Sequence, residues 1–284
     1  MTGFGIRNLK VFFKDKTSVF FSLLAVFIII GLYALFLGDV WVNSLDDAPG
    51  ARFLMNSWIM AGLLAVTSVT TTMGAFGTMV EDKTKKIIKD FTVSPIKNSQ
   101  LVGGYIFSGI VIGIIMSLVT LVLAEIYIIL SGGTFMGFTA LLKVFGLIVL
   151  STITNASLVL FLVSFFKSTS AFGTASTVIG TLIGFLTGIY LPIGELPAGV
   201  QWVVKCFPPS HAAALFRQVM MEEPMAVTFE GAPDSVVADF KQMMGVTFQF
   251  GETTVSAATS VLILIGSAAV FYALALWNIS RKKR

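Results

Sequence analysis

Hydrophobic residues form six long stretches along this chain, separated by shorter polar segments. The stretches cover residues 17–37, 53–79, 101–130, 138–166, 170–190 and 254–277. An α-helix rises about 1.5 Å per residue, so about 20 apolar residues suffice to cross the ~30 Å hydrocarbon layer of a bilayer. Each stretch is long enough, and we predict six transmembrane helices.

Composition supports an all-α integral membrane protein. Of the 284 residues, 56% are hydrophobic and 12% are charged, whereas about one quarter of the residues in soluble domains are charged. A water-soluble globule of this composition would have too little polar surface to cover its core. The first apolar stretch is longer than the core of a signal peptide, and no small-residue cleavage site follows it cleanly, so we expect it to remain as an anchor.

Residues 1–16 predict a helix that lies in the plane of the membrane surface. On a helical wheel, an apolar arc stands against a basic one: Ile6, Leu9, Phe12 and Phe13 against Arg7, Lys10 and Lys14. This separation is typical of interfacial helices. The alternative is a simple basic flank to the first span, and either interpretation puts the N-terminus in the cytoplasm.

The distribution of basic residues predicts the orientation of the spans. Fourteen of the nineteen Lys and Arg residues lie before the first span, in the second-to-third and fourth-to-fifth connections, and after the last span. Connections rich in Lys and Arg stay in the cytoplasm. Both termini are therefore expected to be cytoplasmic, which agrees with an even number of spans.

The connection between the second and third spans, residues 81–97, predicts a charged helix. It has no Gly or Pro before Pro95, and Asp82 and Asp90 each lie one turn from Lys86 and could pair with it. Pro95 ends the helix, because the residue before a proline is displaced from helical geometry.

This helix also carries an apolar ridge, formed by Ile87, Ile88 and Phe91. Water would otherwise surround these side chains on a cytoplasmic segment. The ridge therefore predicts a contact with a partner.

The region after the fifth span predicts short outer helices and an external loop. Residues 188–221 contain several prolines and charges, and a further crossing there would put the basic C-terminus outside. We expect short re-entrant helices in this region. In the loop at 222–253 we expect a helix over 234–244, flanked by strand-like segments at 227–229 and 246–248.

This order of elements resembles the membrane subunits of the ABC-2 type transporter family, bacterial exporters of drugs, lipids, polysaccharides and peptides. Two segments carry the resemblance: Ile87 to Ile96, with its Ser-Pro ending, and the outer residues 191–197 followed by 208–217. The resemblance covers nearly the whole chain and implies one transmembrane domain over 1–284.

The family's first cytoplasmic loop is a coupling helix that docks on a separate ATPase subunit. The resemblance assigns this role to six residues of the present chain: Lys85, Ile87, Ile88, Phe91, Ser94 and Pro95. The family often has Gly-Thr-Leu where this chain has Lys85-Lys86-Ile87.

The chain has no phosphate-binding Gly-x-x-x-x-Gly-Lys-Ser/Thr loop, so we expect neither ATP hydrolysis nor a cofactor on it. The resemblance implies two ATPase subunits, a second copy or a sibling permease, surrounding lipids and a bacterial cytoplasmic membrane. The basic residues flank spans, which argues against nucleic acid as a partner. A single cysteine and a single histidine, Cys206 and His211, leave too few ligands for zinc.

We expect the chain to be the permease subunit of a dimeric, ATP-driven exporter. Its phenylalanine-rich spans favour amphipathic or lipophilic compounds as substrates, so the expected function includes multidrug efflux. A polysaccharide or lipid-linked glycan exporter is the alternative within transport. A membrane immunity protein that binds a toxin without pumping is the alternative outside it.

Polar residues within the spans are candidate sites. Glu125 is either a cation or proton site facing a cavity or an acid near the outer surface, and Lys143 is its candidate partner. A second group either lines a pathway or packs helices together: Thr70, Thr71, Asn155, Thr177 and Thr181.

Overall fold

The computed structural model describes residues 2–37, 42, 48–92, 98–251 and 253–281. Its helices in chain order are α1 (Thr2–Lys14), α2 (Lys16–Leu32), α3 (Ala51–Thr84), α4 (Ile87–Thr92), α5 (Asn98–Leu130), α6 (Phe138–Val163), α7 (Thr169–Leu186), α8 (Ala198–Cys206), α9 (Pro208–Met220), α10 (Glu222–Thr228), α11 (Asp234–Met243) and α12 (Ala257–Arg281). A π-helical turn, Tyr33–Leu37, extends α2.

Six of the described helices are long and apolar enough to cross a membrane: α2, α3, α5, α6, α7 and α12. They coincide with the six predicted stretches, so the prediction of an all-α membrane fold with six spans is confirmed. The main difference is length. Helix α3 runs on to Thr84, well beyond the apolar stretch that ends at residue 79.

Helix α3 forms the centre of the bundle. Most of its side chains are buried, and α2, α5, α6, α7 and α9 all pack on it. Small residues allow this close packing: a Cβ atom added at Gly113 of α5 would lie 2.6 Å from Thr152 of α6 and 3.0 Å from Thr72 of α3. Glycine at such a crossing lets three helices approach within van der Waals contact.

Helices α2, α7 and α12 lie at the periphery. Only 22%, 11% and 17% of the residues in their most apolar windows are buried within the chain. Large apolar side chains such as Phe20, Leu182 and Leu262 point away from the bundle. In a bilayer these faces contact lipid or another membrane helix.

Helix α1 packs on the bundle along one side. Phe4, Asn8 and Phe12, spaced four residues apart, are buried, whereas Ile6 and Phe13 remain exposed. The predicted apolar arc is therefore divided between the bundle and the outside. Asp15 then separates α1 from α2, accepting hydrogen bonds from the backbone of Thr17 and Ser18 and from the Ser18 hydroxyl.

The region after α7 contains short broken helices, as predicted. A 3₁₀ turn (Ile193–Glu195) leads to α8, and Pro208 begins α9, which is buried against α3, α6 and α12. The helix predicted over 234–244 is confirmed as α11.

The predicted strand at 227–229 is wrong, because residues 227 and 228 end helix α10. The prediction at 246–248 is wrong as well. The described strands are the two-residue pair β1 (Gln249–Phe250) and β2 (Thr253–Thr254), joined antiparallel.

Candidate coupling and transport sites

The described part of segment 81–97 belongs to two helices, the end of α3 and α4. Helix α3 ends at Thr84, Lys85 and Lys86 form a turn, and α4 begins at Ile87. Lys86 has a φ of 62°, the left-handed conformation with which many helices end. The prediction of one uninterrupted helix from residue 81 was therefore wrong, since a helix can end through this conformation without glycine or proline.

The predicted pairing of Asp82 with Lys86 is also wrong. The Asp82 carboxylate accepts hydrogen bonds from both terminal nitrogens of Arg7, at 2.6 and 3.1 Å, and from the Tyr105 hydroxyl at 2.7 Å. Its side chain is only 3% exposed. We call Arg7, Asp82 and Tyr105 the polar triad; it joins α1, α3 and α5 beside the start of α4.

Charge interactions strengthen this end of the bundle. The hydrogen bond to Asp82 raises the pKa of Arg7 above its ordinary value. Lys85 pairs with Glu81 one turn earlier, which raises the pKa of Lys85. Both interactions favour the charged forms of Arg7 and Lys85.

The apolar ridge of α4 is partly covered by the chain itself. The Phe91 ring packs edge-on against Phe4 of α1, with centroids 5.0 Å apart. Ile88 and Phe91 also line a small apolar cavity of about 150 Å³, together with Phe4, Tyr105 and others. The inner side of the ridge thus binds α1 and α5.

The outer side of the same segment remains accessible. Ile87 is half-buried, and Lys85 and Lys86 are exposed. Ser94 and Pro95, the other two predicted coupling residues, lie outside the described residues. The sequence did not single out Phe4, and it placed Arg7 on the basic face of a surface helix without its partner Asp82. A helical wheel cannot show which residues of a distant segment these side chains contact.

A groove runs between α2, α3 and α7 toward α4. Its middle part has a volume of about 330 Å³ and mixes aromatic and hydroxyl side chains, including Phe21, Phe172, Ser22, Thr70 and Ser176. A second cavity of about 450 Å³ adjoins it at Ser18 and Gly74 and reaches Glu81 and Lys85. We call the two cavities together the α2–α3–α7 groove.

The candidate polar residues fall into different environments. Thr70 lines the groove. Thr177 and Thr181 are exposed on α7, where their hydroxyls donate to backbone carbonyls one turn earlier. Thr71 and Asn155 are buried between helices, and the Asn155 amide donates to the Ser68 hydroxyl at 2.7 Å.

Glu125 lies at the far end of the bundle from α4. It is buried and accepts a hydrogen bond from the Met136 backbone at 3.1 Å. Lys143 lines the same cavity, but its ammonium group lies 3.6 Å from Glu222. The structure therefore pairs Lys143 with Glu222, whereas the sequence suggested Glu125.

His211 and Ser210 have structural roles in α9. The His211 Nε2 lies 2.9 Å from the Lys205 carbonyl, which can only accept, so Nε2 carries the proton and Nδ1 accepts from Ser260 at 3.1 Å. Ser210 donates to the Leu186 carbonyl at 2.6 Å. These bonds tie α9 to α7, α8 and α12.

Arg217 is a buried cation that the sequence did not single out. Its guanidinium donates to the carbonyls of Gly188 and Gly245, at 3.0 and 3.4 Å, and lies 4.8 Å from the centroid of the Trp58 ring. Full burial removes it from solvent. Arg217 thus holds the turn after α7 and the segment after α11 against α3.

Comparison with known families identifies a matching family model. The family model described as ABC-2 family transporter protein matches residues 47–277, which include α3, α5, α6, α7 and most of α12. Comparison with curated proteins gives no match. The matched region covers most of the chain and contains the α3 and α7 sides of the groove and the segment after α3. The chain therefore belongs to the ABC-2 family of transporter proteins, as a membrane permease subunit of an ABC transporter.

Proposed function

We propose that this permease exports an amphipathic or lipophilic compound, such as a drug, lipid or peptide, from a bacterial cell. Two separate ATPase subunits supply the energy, and the membrane half consists of two copies of this chain or one copy and a sibling. Both termini and α4 face the cytoplasm. Residues 85–95 receive the force of ATP-driven closure.

The observation that carries this proposal is the position of α4. It follows the central helix α3 directly, packs on α1 through Phe91 and Phe4, and lies beside the polar triad. A displacement of α4 would therefore move α1, α3 and α5 together. Rigid elements linked in this way can turn a local push into a rearrangement of the spans.

The α2–α3–α7 groove supports an amphipathic substrate. Its phenylalanine rings suit an apolar body, and its serine and threonine hydroxyls suit polar groups. It reaches Lys85 at the α4 end. A compound taken from the inner leaflet or the cytoplasm would meet the groove beside the segment that the ATPase moves.

Orientation can be tested with the single native cysteine. Cys206 is exposed on α8, at the end of the bundle opposite α4. In intact cells, a membrane-impermeant maleimide should label Cys206. In a Cys206→Ser background, Lys85→Cys should react only after the cells are permeabilised. Labelling of Lys85→Cys in intact cells would contradict a cytoplasmic α4.

Coupling can be tested by introducing a charge on the outer side of α4. Tagged chain purified from its native membranes should bring down an ATP-hydrolysing subunit, and Ile87→Asp should weaken this association and reduce ATP-driven transport of a fluorescent amphiphile. Val236→Asp is the matched control, since Val236 is an exposed apolar residue of α11 at the other end.

Two results would contradict the coupling role. One is purification without any ATPase. The other is an Ile87→Asp variant that elutes as a folded protein in size-exclusion chromatography and keeps both ATPase binding and transport.

A further inference from the structure

A cavity of about 440 Å³ lies at the end of the bundle opposite α4. The start of α3, the α5–α6 connection and the α9–α10 junction surround it, and its walls are largely apolar: Phe53, Ile128, Met136, Phe138 and Val219. Its volume is within the range of small-molecule sites in proteins. Ser57 of this cavity and Thr70 of the groove are thirteen residues apart on α3, a separation of about 20 Å along the helix.

Glu125 points a carboxylate into this cavity. The residue is 6% exposed, and one of its oxygens accepts the Met136 N–H at 3.1 Å. Among the described residues the other oxygen has no hydrogen-bond partner, and it is not fully enclosed by protein, so it opens onto the cavity. A buried carboxylate that is not fully paired costs free energy, and a cation brought into the cavity would offset that cost.

The remaining charges leave the cavity electronegative. Its lining has three carboxylates, on Glu125, Glu222 and Glu223, against the single ammonium of Lys143. Lys143 lies beside Glu222 at 3.6 Å, and Glu223 accepts a hydrogen bond from the Thr134 hydroxyl at 3.0 Å. Glu125 and Glu223 therefore have no cationic partner among the described residues.

The geometry favours an organic cation over a metal ion. Among the described residues, no cluster of three acidic, histidine or cysteine side chains is arranged to hold a metal. An apolar wall with one buried carboxylate suits a ligand that has an apolar body and a single positive group.

We propose that this cavity is a binding site for an amphipathic organic cation, whose charged group pairs with Glu125 and whose apolar body lies against Phe53, Ile128 and Met136. The proposed export function assigns nothing to this cavity, so the inference goes beyond it. The cation could be a soluble compound or a membrane lipid with an amine headgroup, since both share this chemistry.

The test measures equilibrium binding of radiolabelled tetraphenylphosphonium to the full-length chain in phosphatidylcholine nanodiscs, without ATPase. Glu125→Gln should lower the affinity about tenfold, because it removes the charge of a largely desolvated pair. Glu195→Gln is the matched control: it removes one exposed carboxylate at the same end of the bundle, outside the cavity, and should leave the affinity unchanged.

A second variant gives a gain that misfolding cannot imitate. Lys143→Gln removes the ammonium next to Glu222 and should raise the affinity about threefold, the size of a partly exposed charge effect. Adding phosphatidylethanolamine to the nanodiscs shows whether the bound cation is a lipid amine or a soluble compound. Weaker tetraphenylphosphonium binding there would make a lipid amine the occupant, and unchanged binding would favour a soluble cation.

The proposal is overturned if Glu125→Gln binds tetraphenylphosphonium as tightly as the unaltered chain. It is also overturned if uncharged triphenylphosphine oxide displaces the probe at equal concentration. Because neither measurement needs an ATPase or transport, failure here leaves the proposed export function standing, and loss of ATPase coupling leaves the binding result interpretable.

Discussion

Lys86 holds a left-handed backbone conformation at the turn between α3 and α4, with a φ of 62°. This conformation costs an L-residue with a side chain roughly 1 kcal/mol, whereas glycine adopts it freely. Lys86→Gly should therefore raise the free energy of unfolding by up to about 1 kcal/mol, visible as a higher melting temperature of the purified chain in detergent.

The neighbouring lysine provides the control. Lys85 has a φ of −76°, an ordinary right-handed value, and pairs with Glu81. Lys85→Gly should lower the melting temperature, because glycine gains freedom in the unfolded chain and the ion pair is lost. Equal shifts for the two variants would show that Lys86 is not strained.

Asn155 allows packing to be distinguished from a transport pathway. It is buried between α6 and α3, its amide donates to Ser68, and its carbonyl oxygen has no partner in the described structure. Asn155→Leu loses one interhelical hydrogen bond and removes one unsatisfied polar atom, so stability should change by less than about 1 kcal/mol.

Transport by the Asn155→Leu variant is the decisive measurement. If Asn155 only packs helices together, leucine, which has a similar size, can replace it. The variant should then still export a fluorescent amphiphile. Export lost from an Asn155→Leu variant of unchanged melting temperature would place Asn155 on the substrate's route.

Residue type alone predicted some of these environments and missed others. A threonine such as Thr70, which lines the groove, cannot be told by sequence from Thr71, which is buried one residue later. The two differ only in the helix face on which they lie, and the neighbours of that face come from other segments. Asp82 was predicted to pair within its own helix for the same reason, since Arg7 is 75 positions away.

At the scale of elements, the polar triad fixes α1 to the bundle. Asp82→Asn removes the charged acceptor of two Arg7 hydrogen bonds and should cost about 2 kcal/mol, while Tyr105→Phe, which removes one neutral donor, should cost about 1 kcal/mol. The Arg7 side chain is 33% exposed, so water compensates part of its loss.

Hydrogen exchange is the measurement that locates this effect. Asp82→Asn should speed amide exchange in α1 and leave α6 unchanged. Glu81→Gln, which removes the adjacent carboxylate whose partner Lys85 is exposed, should not affect α1. Uniformly faster exchange in every helix would indicate general destabilisation instead of release of α1.

The long apolar helices were predictable because membrane thickness sets their length and because all their backbone hydrogen bonds form within the same helix. Short elements were not. Residues 227–229 read Val-Thr-Phe, which favours a strand, yet 227 and 228 end helix α10, since intrinsic strand preference is weak beside tertiary packing. The turn at Lys85 and Lys86 depends on the contacts of α4 with α1, which a local pattern does not contain.

At the scale of the whole molecule, the helices that form the interior differ from those that border the groove. Helices α3, α5, α6 and α9 form a tightly packed interior, whereas α2 and α7 border the groove and leave most of their side chains uncovered. The uncovered helices are the ones free to meet lipid, substrate or a second permease. The rigid interior connects the cavity at one end with α4 at the other.

Placing a large side chain in the groove tests whether the transported compound passes through it. Gly180 of α7 lines the groove, and a Cβ added there would meet no atom within 4 Å, so Gly180→Leu can be accommodated without disturbing the fold. Gly146→Leu is the matched control, since Gly146 lies equally open on α6 and away from the groove-lining residues.

In vesicles containing the complete transporter, Gly180→Leu should reduce ATP-driven export of a fluorescent amphiphile severalfold, because the leucine occupies space that the compound needs. ATPase binding should persist, since α4 is unchanged. Equal export by the two variants would mean that the compound crosses elsewhere, and the groove would then be a site of helix contact.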